Sequence, residues 1–347
     1  MRGAVIGCGF FSQNHLNAWR ELAEEGVELV AVCDKDRAKA ETAAAAFNVP
    51  NVYDDAGRMF STERLDFVDI VTQMDSHLPL VRMAAENGRR IIVQKPLAPT
   101  WGEAVEIVRS ARLAGAPLAV HENFRFQTPM QKLKAVIDSG DIGAPTWARI
   151  AFRTGFNIYE LQPYFRTEKR FAILDVGIHV LDLARFFLGE VERVSCETQR
   201  RDARNKGEDT ATMLLRHRSG AVSVVECTYE ARRDPDPFPE TEVTIEGERG
   251  SVHLGPGYVA QIARRGDREA VDFGAPLLKW AERPWHVVQA SVLSTQRAII
   301  AAWRAGKEAE TNGADNLRTF AVVEAAYEAA ASGQAAAPLE QDLDWRK

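Results

Sequence analysis

The sequence predicts an α/β domain followed by an α+β domain with a largely antiparallel open sheet. Two observations predict this: apolar strand-like runs alternate with helical stretches over residues 1–122, and turn-punctuated strands dominate the middle of residues 123–347. A chain of 347 residues agrees, because single hydrophobic cores rarely organise more than about 250 residues. Apolar residues make up 46% and charged residues 27%, enough to bury ordinary globular cores.

The first half builds its elements in strict alternation. Arg2–Ile6 is a short apolar run ending in glycine, and Phe11–Glu25 carries Phe11, His15, Leu16, Trp19 and Leu22 at helical spacing. A second apolar run, Glu28–Cys33, precedes an alanine-rich helix at Asp36–Phe47. Phe67–Thr72, Arg90–Val93 and Leu118–Val120 are further strands, with helices Leu78–Asn87 and Gly102–Ala114 between them. Several of these runs lack polar alternation, as expected of strands covered on both faces. The rhythm then changes. A helix at Pro129–Ser139, a strand near Thr146–Phe152, an aromatic-rich loop to Arg170 and a helix at Asp175–Phe187 precede strands spread over Val191–Ala263. Val243 and Ile245 alternate with Thr244 and Glu246, which gives that sheet one buried face. Two helices, Trp285–Trp303 and Ala314–Ala330, close the chain.

Charge and cysteine usage exclude several functions. A net charge of −6 offers no footprint for nucleic acid or an anionic membrane. No apolar run approaches the roughly 18 residues of a membrane span, and MRGAVIG enters a strand without a signal-peptide pattern. Cys8, Cys33, Cys196 and Cys227 are far apart and show no zinc spacing, so reduced thiols, a cytoplasmic setting and no metal are expected.

The segment VIGCGFFSQNH places Gly7 and Gly9 between the first strand and first helix. Gly7 suits a turn that a side chain would obstruct, and Gly9 lets backbone amides approach a pyrophosphate at a helix N-terminus. Phe10 and Phe11 complete the turn as candidate cofactor contacts. Ser12 holds the third small position of the G-x-G-x-x-G/A pattern. Asp34 follows 22 residues later at the end of the second strand, the place of an acid that binds adenosine ribose hydroxyls. The first domain therefore reads as a Rossmann fold. Asp34 favours NAD over NADP, while Lys35 and Arg37 leave NADP open.

Other candidates sit at strand ends. Thr72 and His77 flank a strand-to-helix turn, and His77 reads either as a helix cap or as a cofactor contact. Val93–Gln94–Lys95–Pro96 puts a lysine after a buried strand, where it donates to a substrate hydroxyl or is a solvated turn residue. Proline after Lys95 makes a cis bond possible. Asn123 and Arg125, just past the last Rossmann strand, are cofactor or substrate contacts, and Arg125 reads equally as a structural clamp. In LDVGIHVLDLARFF, helical spacing sets Asp175, His179 and Asp182 on one face, opposite Val176, Val180, Leu183 and Phe187. A carboxylate one turn from an imidazole suits acid–base catalysis. Capping and a metal pair are the competing readings.

Seven segments together resemble one family: VIGCGFFSQNH, VAVCDKDRAKAE, DFVDIVTQMDSHLPLV, IIVQKPLAPT, HENFRF, LDVGIHVLDLARFFLGE and NGADNLRTFAVVEAAYEAAASG. In order and spacing they resemble the glucose–fructose oxidoreductase / inositol dehydrogenase / MocA family of NAD(P)-dependent enzymes. The resemblance implies catalytic roles for Lys95, Asp175 and His179, which also contact substrate. The family's E-K-P glutamate is Gln94 here, and its T-P turn is Thr72–Gln73. Gln94 is still expected to bond the nicotinamide ribose. The implied function is NAD-dependent oxidation of a hydroxyl on a monosaccharide, polyol or related sugar derivative, with Lys95 and His179 in proton transfer. The loop from Arg153 to Arg170 suits a sugar, with Tyr164 as a substrate contact, while Arg153 and Arg166 hold a sugar-acid carboxylate or are surface charge. The resemblance also implies a homodimer or homotetramer built on the second domain's sheet. Two alternatives are a relative that retains NAD for glycoside cleavage or elimination, and a non-catalytic NAD-binding sensor.

Overall fold

Strands buried on both faces must be nearly all apolar, and the first unit of the computed structural model shows this pattern. The structure describes residues 1–339. Six strands, β1 (Arg2–Ile6), β2 (Glu28–Cys33), β3 (Asn51–Tyr53), β4 (Phe67–Ile70), β5 (Arg90–Gln94) and β6 (Leu118–His121), form one parallel sheet in the order β3-β2-β1-β4-β5-β6. Helices α1 (Ser12–Glu21), α2 (Arg37–Phe47), α3 (Ala56–Thr62), α4 (His77–Glu86) and α5 (Trp101–Leu113) connect them. The strand order reverses at β1, which pairs with β2 on one side and β4 on the other. Such a switch point opens a crevice at the carboxyl ends of the strands, where nucleotides bind in this topology. Three side-chain caps start helices where the sequence supplies acceptors: Asp36 for α2, Asp55 for α3 and Thr100 for α5. The strand β3 and helix α3 were not legible in the sequence. Three residues are too few to show alternation, and pairing to β2 makes β3 a strand.

The second unit holds α6 (Thr128–Asp138), β7 (Pro145–Arg153), the short α7 (Ile158–Leu161), α8 (Ile178–Leu188) and strands β8 to β14. These strands are β8 (Val191–Gln199), β9 (Thr210–His217), β10 (Val222–Thr228), β11 (Glu242–Gly247), β12 (Gly250–Leu254), β13 (Val259–Arg264) and β14 (Asp267–Asp272). Their order is β14-β13-β12-β11-β7-β10-β9-β8, antiparallel everywhere except between β7 and β10. Register explains the two faces. Met213, Val225, Ile150, Val243, Leu254 and Ala260 lie side by side across six strands, and each is fully buried. One residue along, Leu214, Val224, Arg149, Thr244 and His253 form the opposite, more exposed row. Strand β14 is exposed along its whole length and polar, so its backbone pairing to β13 left no hydrophobic signature to read.

Helices α9 (His286–Arg304) and α10 (Gly313–Ser332) close the chain. A second domain running unbroken from residue 123 is not what the structure contains. Among the described residues, Met1–Asn123 forms one unit with Ser291–Leu317, and Phe124–Ala290 forms the other with residues 318–339. The returning segment is tied to the first unit by specific bonds. The Val120 N–H donates to the Thr311 carbonyl at 2.8 Å, the Thr311 hydroxyl donates to the Val120 carbonyl at 2.8 Å, and Gly313 fits against Leu118 and Val108 where a Cβ would clash. Residues 340–347 of the expected second domain lie outside the described residues.

Candidate active site

The chain turns immediately after β1. Gly7 sits at φ +97°, and a Cβ there would lie 2.6 Å from the Val71 carbonyl oxygen, so this position requires glycine. Around Gly9, no heavy atom lies within 4 Å of where a Cβ would be. That open space before the N-terminus of α1 is what a pyrophosphate needs. Ser12 is buried and donates its hydroxyl to the Gly9 carbonyl at 2.6 Å, so serine closes the turn itself. Asp34 joins this turn to the next: one carboxylate oxygen accepts the Cys8 N–H at 2.8 Å and the other the Asp36 N–H at 2.9 Å. A carboxylate has about four acceptor sites. Half-buried Asp34 thus keeps capacity for ribose hydroxyls, in a fixed orientation. Phe10 is 55% exposed beside the turn, and Phe11 directly precedes α1 with its ring edge-on to His15. Thr72 follows β4 and accepts the Ser76 hydroxyl at 2.7 Å. The Cys8 thiol in this turn is pushed up to about 12 by burial and then by Asp34, so it stays protonated.

Three candidates from this unit have buried protein partners. His77 is fully buried, with Nδ1 3.0 Å from the Leu97 carbonyl oxygen and Nε2 3.2 Å from that of Thr72. Burial lowers its pKa, and the ring faces two backbone carbonyls, of which a neutral imidazole can donate to one. Asn123 is buried and donates to the Ser291 hydroxyl at 2.7 Å, a bond within the unit. Gln94 is also buried; its side chain turns to His15 and to the Lys95 N–H. Lys95 follows it, half-buried, with a cis peptide bond to Pro96.

In the second unit, the segment Ile173–Gly177 is a π-turn that runs directly into α8. Widened helical turns of this kind recur at functional sites. Glu208 holds its start, accepting the Phe171 and Ile173 N–H groups at 3.1 Å each and the Tyr327 hydroxyl at 2.7 Å. Asp175 lies inside the π-turn, and one of its oxygens accepts the Tyr229 hydroxyl at 2.8 Å. Burial first, and then the Asp175 charge, hold the Tyr229 phenol well above its ordinary pKa, so it remains a donor. The His179 ring stacks on Phe124, with centroids 3.9 Å apart and planes 4° from parallel. That stack fixes the imidazole plane. Tyr164 is 39% exposed and donates to the Gln162 amide oxygen at 2.7 Å. Its phenol is raised by burial and then by the Asp175 charge, which places it within that carboxylate's field.

Helix α8 is interior. Every residue of Ile178–Arg185 is buried, so its polar groups are matched one by one instead of facing solvent. Asp182 receives Arg125 Nε at 2.7 Å and the Thr319 hydroxyl at 2.8 Å, and Arg185 donates to Thr319 at 2.7 Å and to Glu190. Arg125 is therefore a buried structural clamp on Asp182. The loop arginines are likewise engaged: Arg166 lies over the Tyr159 ring at 3.8 Å and bonds Asp202 and Asn205, and Arg153 pairs with Glu226. Tyr229, Phe124 and Glu208 escaped the sequence reading. HENFRF contained Phe124, but no spacing rule reaches a strand-end tyrosine 54 residues from its carboxylate. Among the described residues no group of three His, Cys, Asp or Glu side chains could hold a metal ion, and no helix is long and apolar enough to cross a membrane.

Residues 1–122 match the model of an oxidoreductase family with an NAD-binding Rossmann fold, and residues 130–253 match that of the GFO/IDH/MocA C-terminal domain. The chain is 44% identical over 334 residues to a D-apiose dehydrogenase of Rhizobium rhizogenes, covering 96% of each protein. It is 45% identical over 333 residues to a D-apiose dehydrogenase of Paraburkholderia graminis, covering 96% of this chain and 88% of the other. Among solved structures, an oxidoreductase from Agrobacterium radiobacter in complex with NAD+, L-tartaric acid and magnesium superposes with a TM-score of 0.95 at 44% identity, covering 97% of this chain and 98% of the other.

Proposed function

The chain belongs to the Gfo/Idh/MocA family of NAD-binding oxidoreductases, and from that premise we propose that it oxidises a hydroxyl of D-apiose with NAD. The observation that carries the substrate is the identity of 44% and 45%, across 96% of this chain, to two D-apiose dehydrogenases. The coarser activity, NAD-dependent dehydrogenation of a sugar CH–OH group, follows from the family and its sugar-dehydrogenase members.

NAD fits the first unit on structural grounds: Gly9 leaves open space, Gly7 makes the tight turn, and Asp34 is oriented by two backbone amides. Phe10, Phe11 and Thr72 complete this cofactor set. Bound NAD supplies the hydride acceptor. The protein's part is to hold the sugar and manage its hydroxyl proton. Lys95 and His179 carry the proton transfer, His179 with its ring plane set by Phe124 and Lys95 as the cation that stabilises the developing alkoxide charge. Asp175, steadied by Tyr229, orients the sugar, and Tyr164 adds a ring and a hydroxyl for it.

The test follows reduced-nicotinamide absorbance, with NAD and NADP separately, across D-apiose, other aldoses, polyols, inositols and sugar acids. D-apiose with NAD is expected to show the highest kcat/KM; a different sugar at the top would overturn the substrate assignment. Asp34→Ala is expected to erode the NAD preference, because the acid that binds ribose hydroxyls also repels a 2′-phosphate. An unchanged NAD/NADP ratio would contradict that role.

The reading extends to assembly and setting. The outer sheet row with Leu214 51% exposed beside Val224 supports a homodimer or homotetramer through the second unit's sheet. Light scattering should give two or four times the chain mass, and a monodisperse monomer at micromolar concentration would contradict it. Four buried, unpaired cysteines suit a reducing cytoplasm.

A further inference from the structure

Lys95 is held from behind by a chain of buried polar groups whose hydrogens the backbone fixes. Its N–H donates to Gln94 Oε1 at 2.7 Å. A backbone N–H is always a donor, so the carboxamide oxygen must face it. The Gln94 Nε2 amino group then points at His15 Nε2, 3.1 Å away, and His15 Nε2 must accept. The ring proton is left to Nδ1, which lies 2.7 Å from Asp69 Oδ2. Trp19 Nε1 donates to the same oxygen at 2.7 Å, and Gln296 Nε2 approaches it at 3.4 Å. His15, Asp69 and Gln296 are fully buried, and the His15 ring packs between Phe11 and His121. Each orientation thus follows from its neighbour, starting at an amide that cannot reverse.

We propose that Asp69, His15 and Gln94 form a fixed-tautomer relay whose role is to position Lys95. This rests on Lys95 taking part in the reaction. The relay explains why glutamine stands where the family pattern has glutamate. A carboxylate at residue 94 would still accept the Lys95 N–H, but it could not donate to His15. His15 would then need a proton on both nitrogens, an imidazolium enclosed between two carboxylates. Glutamine keeps the imidazole neutral and leaves Asp69 as the only charge in the chain of bonds. The titratable groups facing His15 are Asp69 from β4 and His121 from β6; the amides of Gln94 from β5 and Gln296 from α9 and the Trp19 indole of α1 complete its surroundings. Asp69 and His15 are positioning residues that act through Gln94.

The test uses the full chain labelled with 15N-histidine. Seven histidines give a tractable spectrum, and His15→Gln identifies the His15 signals. The parent should show His15 neutral with the proton on Nδ1, and Gln94→Glu should convert it to the doubly protonated ring. In kinetics, Gln94→Leu removes both bonds and should lower kcat roughly tenfold to a hundredfold with the NADH Kd within about threefold, since misplacing a reacting group by about 1 Å costs that much. Gln94→Glu keeps the Lys95 bond and should retain kcat within about threefold of the parent, a rescue that a merely structural role would not give. A parent His15 carrying its proton on Nε2 or on both nitrogens overturns the relay, as does a Gln94→Leu enzyme with parental kcat. A parent inactive on D-apiose would fail the substrate reading alone, and the tautomer spectrum would still decide the relay.

Discussion

Replacing Lys95 or His179 with alanine is expected to lower kcat about 100- to 10,000-fold, the range for losing a positioned proton-transfer group. NADH binding, followed by fluorescence titration, should stay within a few-fold. The separation follows from where the side chains sit. The glycine turn and Asp34, proposed to hold the dinucleotide, use neither residue, and their geometry is set by the bonds from Cys8, Asp36 and Ser12. The proton of the sugar hydroxyl has to be taken up as the hydride departs, and a truncated Lys95 or His179 leaves that charge to water. His179→Ala also removes the partner of the Phe124 ring, so His179→Gln is the better comparison for separating lost packing from lost chemistry. Turnover retained in both single variants would remove these residues from the proposed site.

The second large effect is on stability. Asp182→Ala should cost about 3–5 kcal/mol, because it leaves a buried guanidinium without its counter-charge. Asp182 is fully buried and receives Arg125 and Thr319 directly, with Arg185 3.8 Å away. Burial alone would raise its pKa, but the Arg125 charge and hydrogen bond, Arg185 and Thr319 outweigh that and hold it below the ordinary carboxylate value. The sign of the pH dependence follows. A depressed folded-state pKa contributes stability above the unfolded value near about 4, and that contribution is lost as pH falls through the folded pKa. Denaturant titrations of parent and variant at neutral pH should therefore differ by the full amount, and the gap should close as the pH is taken well below 4. An Asp182→Ala protein as stable as the parent at neutral pH would mean that the ion pair merely balances its desolvation.

The same residues show what the sequence could and could not reveal. The glycine turn, the place of Asp34 and five of the six strands of the first sheet were legible because period, turn chemistry and spacing are local signals. The partners of Asp182 were not legible, because α8 is interior and Asp182 is matched to Arg125 and Arg185. The π-turn at Ile173–Gly177 is held by Glu208, 31 residues beyond its end, so no local pattern announces it. The protein partners of His77, Asn123 and Gln94 were hidden for one shared reason. Strand ends in this topology collect polar residues both for ligands and for satisfying buried backbone, and only coordinates separate the two uses. The returning segment Ser291–Leu317 was hidden similarly, since its ties to Val120 and Asp69 span more than 190 residues.

The most direct test of the account is the stoichiometry between NADH formed and sugar consumed in a closed reaction, with D-apiose and excess NAD. Net dehydrogenation by this chain predicts one NADH for each sugar oxidised, and none in Lys95→Ala or His179→Ala. Sugar consumed without accumulation of NADH would contradict it, and would mean that the cofactor is reduced and reoxidised within each turnover.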